Sequence, residues 1–239
     1  MNIAVIFAGG VGTRMHSKST PKQFLELHGK PIIIHTLEVF EHNVKVDAIC
    51  ISCHPDYIDY MDRLCKRFDI SKVRWIVKGG ETGQQSIFNG LDTVYRNCGG
   101  DTVVLIHDGV RPNISDELIC ANIESVIKNG NAVSCAPAIE TPAEIDENGC
   151  IVGVTERQNA VVAKAPQSFW LRDIHAAHLR AQAEGHVDFI DSASMLRHYG
   201  HKLFTVPCRW DNIKITTPSD FYIFRAILEA RENSQIFGL

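Results

Sequence analysis

The amino-acid sequence predicts an α/β protein with a doubly wound, mostly parallel sheet. Three observations carry that prediction. Short, continuous apolar runs recur along the chain, the pattern of strands covered on both faces. Amphipathic stretches of helical period separate them, and such alternation builds parallel sheets. The first apolar run ends in a glycine-rich loop, AGGVGTRM at 8–15. Open α/β sheets gather ligands at that point, the carboxyl end of a strand.

The elements follow in order. Residues 2–7 (NIAVIF) are the first expected strand. Pro31 has the fixed φ that suits a first helical turn. It opens a helix carrying Ile34, Leu37 and Phe40. Residues 47–53 (DAICISC) are the second strand, and 55–68 a helix with Ile58, Met61, Leu64 and Phe68 at helical spacing. Residues 73–77 (VRWIV) are the third strand, followed by a helix over 83–96 with Ile87, Leu91 and Val94. After strand 102–106 (TVVLI), the Ser115 hydroxyl can cap a helix bearing Leu118, Ile119, Ile123 and Val126. Residues 132–136 (AVSCA) are a further strand. Residues 139–163 break the rhythm. They are polar, and Glu147-Asn148-Gly149 supplies turn chemistry between β-prone flanks, so they read as a protruding β-hairpin. A solvated loop and an arm reaching a second subunit both remain open.

The chain has 239 residues, 45% hydrophobic and 22% charged, which suffices for a full core in a single domain spanning 1–239. Lys and Arg total 24 against 28 Asp and Glu, a net charge of −4. A weakly acidic chain has no global electrostatic reason to hold nucleic acid or an anionic membrane, so neither is an expected partner. A local basic pocket for a small anion stays open. No segment has the roughly 18 apolar residues of a bilayer span. The start, MNIAVIFAGG, lacks a cationic leader, so the expected location is the cytoplasm. Of eight cysteines only Cys50 and Cys53 have C-x-x-C spacing, within the apolar run AICISC. Reduced thiols packed in strands are expected, with a zinc site the weaker alternative.

Gly9, Gly10 and Gly12 let backbone approach an anion closely, although a glycine-rich turn without ligand is the plain alternative. The dinucleotide fingerprint fails, because Met15 stands where G-x-G-x-x-G needs its third glycine. That disfavours an oxidoreductase. A P-loop is absent too. Gly29-Lys30 has Phe24 in place of the upstream glycine and Pro31 in place of Ser or Thr. What remains is a glycine loop followed by Arg14 and then Pro21-Lys22. Two fixed cations beside a backbone nest suit a triphosphate and neutralise the charge that moves onto a leaving pyrophosphate.

GGVGTRM followed by STPKQFLEL resembles the nucleotidyltransferase signature of the cytidylyltransferases that activate sugar-alcohol phosphates. KGGETGQQS, IHDGVRP, VTERQNA, KAPQSFW and DNIKITTPSDF fit the same family in order, so the resemblance covers nearly the whole chain. It implies a nucleotide-binding sheet of nucleotidyltransferase type, and in-line attack of an acceptor phosphate on the α-phosphorus of CTP with loss of pyrophosphate. By resemblance, Arg14 and Lys22 hold the triphosphate and stabilise the transition state, while Ala8, Gly9, Gly10 and Gly12 contact the nucleotide. Gly79, Gly80 and Ser86 match the segment that reads cytosine, with a helix-surface serine as the alternative for Ser86. Gly83 stands where the family usually carries Arg.

The resemblance makes Asp108 the Mg²⁺ ligand and gives Asp211 an assisting role; a cap or turn aspartate is the alternative for Asp108. Arg111 is expected to brace its loop. Thr141, Arg157 and Lys214 match positions that hold the attacking phosphate. Thr141 and Arg157 lie in the hairpin, about 139–163, which in the family swaps across a homodimer. The alternative for Arg157 is a solvated arm residue. His107 and the other histidines read as structural or exposed. PKQFLELHGKPIIIHTLEVFE and NIKITTPSDF look like the branch using ribitol 5-phosphate, which serves cell-surface polymers. The branch using methylerythritol phosphate, which serves isoprenoid synthesis, shares the chemical residues. Gly83, and Ile190 ahead of Asp191, depart from much of the family. A non-catalytic nucleotide-binding regulator is the alternative of another class; Arg14, Lys22, Asp108 and Lys214 together argue against it.

Overall fold

The structure, a computed structural model, describes residues 1–9 and 21–237. In chain order it runs β1 (Asn2–Ala8), the two-residue strands β2 (Glu26–Leu27) and β3 (Lys30–Pro31), α1 (Ile32–His42), β4 (Ala48–Cys53) and α2 (Ile58–Arg67). Next come β5 (Val73–Lys78), α3 (Gly83–Cys98), β6 (Val103–Asp108), α4 (Asp116–Asn129) and β7 (Asn131–Pro137). The last part holds β8 (Ala143–Ile145), β9 (Ile151–Val154), β10 (Val161–Trp170), α5 (Leu171–Ala183), α6 (Ser192–His198), β11 (Thr205–Pro207) and α7 (Pro218–Phe237).

Seven strands form one sheet in the order β11-β7-β10-β6-β1-β4-β5. The pairs of β1 with β4 and β6, β4 with β5, and β11 with β7 are parallel; β10 runs antiparallel to both its neighbours. The expected mostly parallel α/β sheet is therefore the observed one. Alternate residues of β1 go to opposite faces, as the strand period requires. Ala4 and Ile6 pack with Ile33, Leu37 and Phe40 of α1, Met61 of α2 and Ile119 of α4. Ile3 and Val5 pack with Leu91 and Val94 of α3 and Ile174 of α5. Gly90 lets α3 sit this close, since a Cβ there would come within 2.8 Å of Val5.

Several expected elements differ in detail. Pro31 is the N-cap of α1, one position ahead of the first turn. The stretch 55–68 opens with a 3₁₀ turn, Pro55–Tyr57, before α2 begins. Ser115 caps α4 as expected, accepting from the Leu118 amide at 3.3 Å. The excursion contains a separate antiparallel ribbon, β8 with β9, turned by Gly149 at φ +80°. Its final residues already belong to β10, a central strand whose pairing with β7 shifts register between Ala163 and Gln167. Lys164 and Pro166 in that stretch hid the strand, because proline and an irregular register break the apolar pattern. All eight cysteines are free thiols, spread over strands, helices and loops. Burial pushes Cys50 up to about 12 and Cys53 up to about 11, so both are protonated. No helix among the described residues is long and apolar enough to cross a membrane.

Candidate active site

Two depressions open at the carboxyl ends of the parallel strands. The smaller, about 180 Å³, is walled by Ala8 and Gly9 after β1, Lys22, Gly80 and Ser86 after β5, and Asp108 and Lys214. The larger, about 590 Å³, runs from Asp108 and Lys214 toward α5, α6 and the segment 187–192. Phe7, Thr82 and Gly83 also border both, and open space surrounds the place a Cβ on Gly83 would occupy.

Ser86 ties the glycine segments together. Its hydroxyl accepts from the Gly80 amide at 3.0 Å and donates to the Thr82 carbonyl at 2.9 Å. Ser86 is buried, not a surface serine. Gly79 lies behind the cleft, its amide 2.6 Å from the Cys53 carbonyl; a Cβ there would meet that carbonyl and the Ser86 hydroxyl, both at 3.2 Å. A Cβ on Gly9 would stand 3.1 Å from the same hydroxyl. These glycines thus let two loops approach within van der Waals limits.

At the junction of the depressions, Lys214 Nζ is 2.5 Å from Asp108 Oδ1, and Arg111 Nε is 3.2 Å from Oδ2. Backbone pairing places the lysine: the Ile215 amide bonds the Val110 carbonyl at 2.8 Å, and the Ile215 side chain is fully buried. Arg111 also donates to the Asn212 carbonyl at 2.7 Å, so it braces the loop after β6. Burial alone raises the Asp108 carboxyl, but Lys214 and Arg111 outweigh it and hold the group below its ordinary value. Beyond the Lys214 ammonium, Asp108 Oδ1 has no partner among the described residues. A buried, ionised carboxylate oxygen with unspent lone pairs fits a hard divalent cation such as Mg²⁺.

The remaining expected residues lie elsewhere. Gly10, Gly12 and Arg14 fall outside the described residues. Thr141 and Arg157 are exposed on the arm and border neither depression of their own chain. The Arg157 guanidinium donates to the Ile139 carbonyl at 3.3 Å. Asp211 does not join Asp108. It borders a separate groove beside Asn113 and Arg231, and Arg209 bonds its carboxylate at 2.9–3.2 Å. Burial raises Asp211, and the Arg209 bonds more than reverse that. Asp211 thus borders a different groove from the two depressions that Asp108 borders.

Some contributors were invisible in the sequence. Buried Gln23 donates to the Ala8 carbonyl at 2.8 Å and so holds the end of β1. Gln84 clamps the wall of the larger cavity: it donates to the His186 carbonyl at 2.8 Å and accepts from the Phe189 amide at 3.0 Å. Asp191 caps α6 through the Ser194 amide at 2.7 Å and accepts from Gln167 at 2.8 Å. His107 is structural as expected, fully buried and 3.0 Å from the Arg111 carbonyl. The reading of the other histidines as lacking metal geometry needs one amendment. His186 and His198 come within ligand reach of Glu184 on the surface. The Glu184 carboxylate is already bonded by Arg180 and Tyr199.

A parallel sheet whose strand ends frame a glycine-edged cleft, with a lysine–aspartate pair opening onto a second cavity, defines a nucleotide-using transferase site. Residues 2–230 match the family described as IspD: 2-C-methyl-D-erythritol 4-phosphate cytidylyltransferase, and the chain belongs to that family. It is an enzyme, a CTP-dependent cytidylyltransferase. The chain is 50% identical over 239 residues to a ribitol-5-phosphate cytidylyltransferase of Streptococcus agalactiae serotype V, covering 100% of both chains. It is 50% identical over 238 residues to the enzyme of the same name from Vibrio parahaemolyticus, again covering 100% of both. Among solved structures, 4-diphosphocytidyl-2C-methyl-D-erythritol synthase from Anaerococcus prevotii superposes with a TM-score of 0.83 at 26% identity, over 95% of this chain and 96% of that one.

Proposed function

We propose that this chain, acting as one catalytic unit in the cytoplasm, transfers the cytidylyl group of CTP to D-ribitol 5-phosphate, giving the CDP-alditol and pyrophosphate. The observation that carries the proposal is the meeting of two cavities at Asp108 and Lys214. The full-length relatives at 50% identity, named for ribitol 5-phosphate, support that acceptor over methylerythritol phosphate. The smaller cleft takes the nucleotide. Ala8, Gly9 and Gly80 offer backbone there, and Lys22, with Arg14 and the Gly10 and Gly12 loop, neutralises the triphosphate. The larger cavity takes the acceptor, with its phosphate at Lys214.

In that arrangement an acceptor phosphate oxygen attacks the α-phosphorus in line. One P–O bond forms as the bond to pyrophosphate breaks, so positioning and charge stabilisation supply the catalysis. Lys214 holds the nucleophile, and Arg111 keeps Asp108 ionised and oriented. Mg²⁺ is held by Asp108 when bound, and supplies neutralisation of phosphate charge. Thr141 and Arg157 complete the site of the neighbouring subunit in a homodimer. The arm supports this reading by its exposed apolar residues Ile139, Ile145, Ile151, Val152 and Val154, which a partner surface would cover.

Pyrophosphate release from CTP tests the acceptor. Turnover is expected with D-ribitol 5-phosphate at a kcat/KM well above that with 2-C-methyl-D-erythritol 4-phosphate. The reverse order moves the chain to the isoprenoid branch. Tight CTP binding without turnover on any polyol phosphate makes it a regulator.

A further inference from the structure

His178, on α5, borders the larger cavity, whose lining also includes Ile87, Phe189 and Met195. The residue is 1% exposed, yet neither ring nitrogen has a hydrogen-bond partner among the described residues. The two other buried histidines differ. His107 bonds the Arg111 carbonyl and His175 bonds Asp92 at 3.2 Å. Buried polar groups are normally paired, and an unpaired one inside a fold is a cost without return unless something else supplies the partner. Packing supplies a ring neighbour but no polar partner for the two nitrogens among the described residues. Phe88 lies beside the ring with centroids 5.8 Å apart, and a leucine would fill the same volume. Burial pushes His178 down to about 4, so the ring is neutral, with one donor and one acceptor nitrogen. A hydroxyl is likewise donor and acceptor.

We propose that His178 is a specificity-determining residue that hydrogen-bonds a hydroxyl of the acceptor's polyol chain in the larger cavity. The inference rests on the assignment of that cavity to the acceptor. The cavity, about 590 Å³, is bordered by both Lys214 and His178. The phosphate end lies at Lys214, the chain runs inward, and Gln84 and Asp191 hold the wall through both ends of their side chains. A fixed wall lets one unspent side chain discriminate between acceptors, because an analogue lacking the matching hydroxyl leaves the imidazole unpaired.

The test uses the full chain with saturating CTP, D-ribitol 5-phosphate and its monodeoxy analogues, in the wild type, His178→Leu and His178→Gln. His178→Leu is expected to lower kcat/KM for ribitol 5-phosphate about 10- to 100-fold, the worth of one or two tenfold steps in a buried hydrogen bond. KM for CTP stays within about twofold, and the melting temperature does not fall, because an unpaired buried imidazole has been removed. His178→Gln, which keeps a donor and an acceptor, recovers part of the loss. One monodeoxy analogue suffers the same loss in the wild type and no further loss in His178→Leu. Unchanged acceptor kcat/KM in His178→Leu overturns the proposal. So does a variant that melts early and loses CTP and acceptor use together, since His178 is then structural. If the wild type itself fails on every polyol phosphate, the acceptor assignment falls, and this inference with it.

Discussion

Lys214→Met isolates the junction on which the catalytic reading depends. In the native protein the Asp108 side chain is 7% exposed and is compensated by Arg111, 10% exposed, and Lys214, 40% exposed. Removing one partner of a fully buried pair costs about 3–5 kcal/mol. Lys214 reaches water and Arg111 stays in place, so screening reduces the expected cost to about 1–2 kcal/mol. For a chain of this size that lowers Tm by roughly 2–8 °C. The pH dependence follows from the direction of the Asp108 shift. A carboxyl held below its unfolded value contributes stability above that value and loses it as pH falls through the folded one. Lys214→Met moves Asp108 upward, so the stability gap between wild type and variant is full at neutral pH and closes in acid. Turnover is expected to fall about 10²- to 10³-fold, as for loss of one charge-stabilising group. Thermal melts of Lys214→Met, Asp108→Asn and the double variant form a cycle. Additivity within about 0.5 kcal/mol means the two groups are uncoupled and refutes the reasoning, as does near-wild-type turnover in a folded Lys214→Met.

Three further outcomes are expected. Gln23→Ala leaves the buried Ala8 carbonyl without its donor; stability drops by about 1–3 kcal/mol and KM for CTP rises, whereas an unchanged KM separates Gln23 from the nucleotide loop. Excess chelator abolishes turnover, and added Mg²⁺ restores it; full activity in chelator removes the metal from Asp108. Inactive Arg157→Ala and Lys22→Ala subunits, when mixed, regain part of the activity if the arm crosses to the partner, because one site of each mixed dimer then carries neither defect; stable mixed dimers with no recovery put the arm back on its own chain.

What the sequence revealed and what it concealed divide along a physical line. Local signals were legible: the apolar run into Ala8 and Gly9, the Ser115 cap, the Gly149 turn, and Asp108 at the end of a buried strand. Each depends on neighbours a few positions away. The concealed features depend on contacts across the fold. Gln84 looks like an ordinary residue of the first turn of α3 until the segment after α5 folds back and offers His186 and Phe189. The resemblance gave Asp211 an assisting role at the metal, and the ion pair that Arg209, two positions upstream, makes with its carboxylate was not read from the sequence. His178 was read only as structural or exposed, because the cavity it borders is formed by segments distant in sequence. Strand β10 was missed because Lys164 and Pro166 interrupt it where the sheet pairing itself is irregular.

The position of the site also follows from the strand order. After β1 the chain adds β4 and then β5 on one side, and then crosses β1 to place β6 on the other. The order reverses between β1 and β6, and at such a reversal the helices leave a crevice beyond the strand ends that cannot close. Register completes the argument. Phe7 pairs with Asp108 across the two strands, so Ala8, Gly9 and the carboxylate that ends β6 emerge side by side at the crevice. Lys214 is carried in from a distant segment, its ammonium 5.8 Å from the centre of the Phe7 ring and 2.5 Å from Asp108. The Asp108–Lys214 pair therefore stands where the topology leaves room, with Gly83 bordering both depressions and Ile190 the larger one. Under the proposed assignment of the cavities, substitution at Ile190 is accordingly expected to change acceptor use and to leave KM for CTP unchanged, because Ile190 borders the larger cavity and not the smaller cleft.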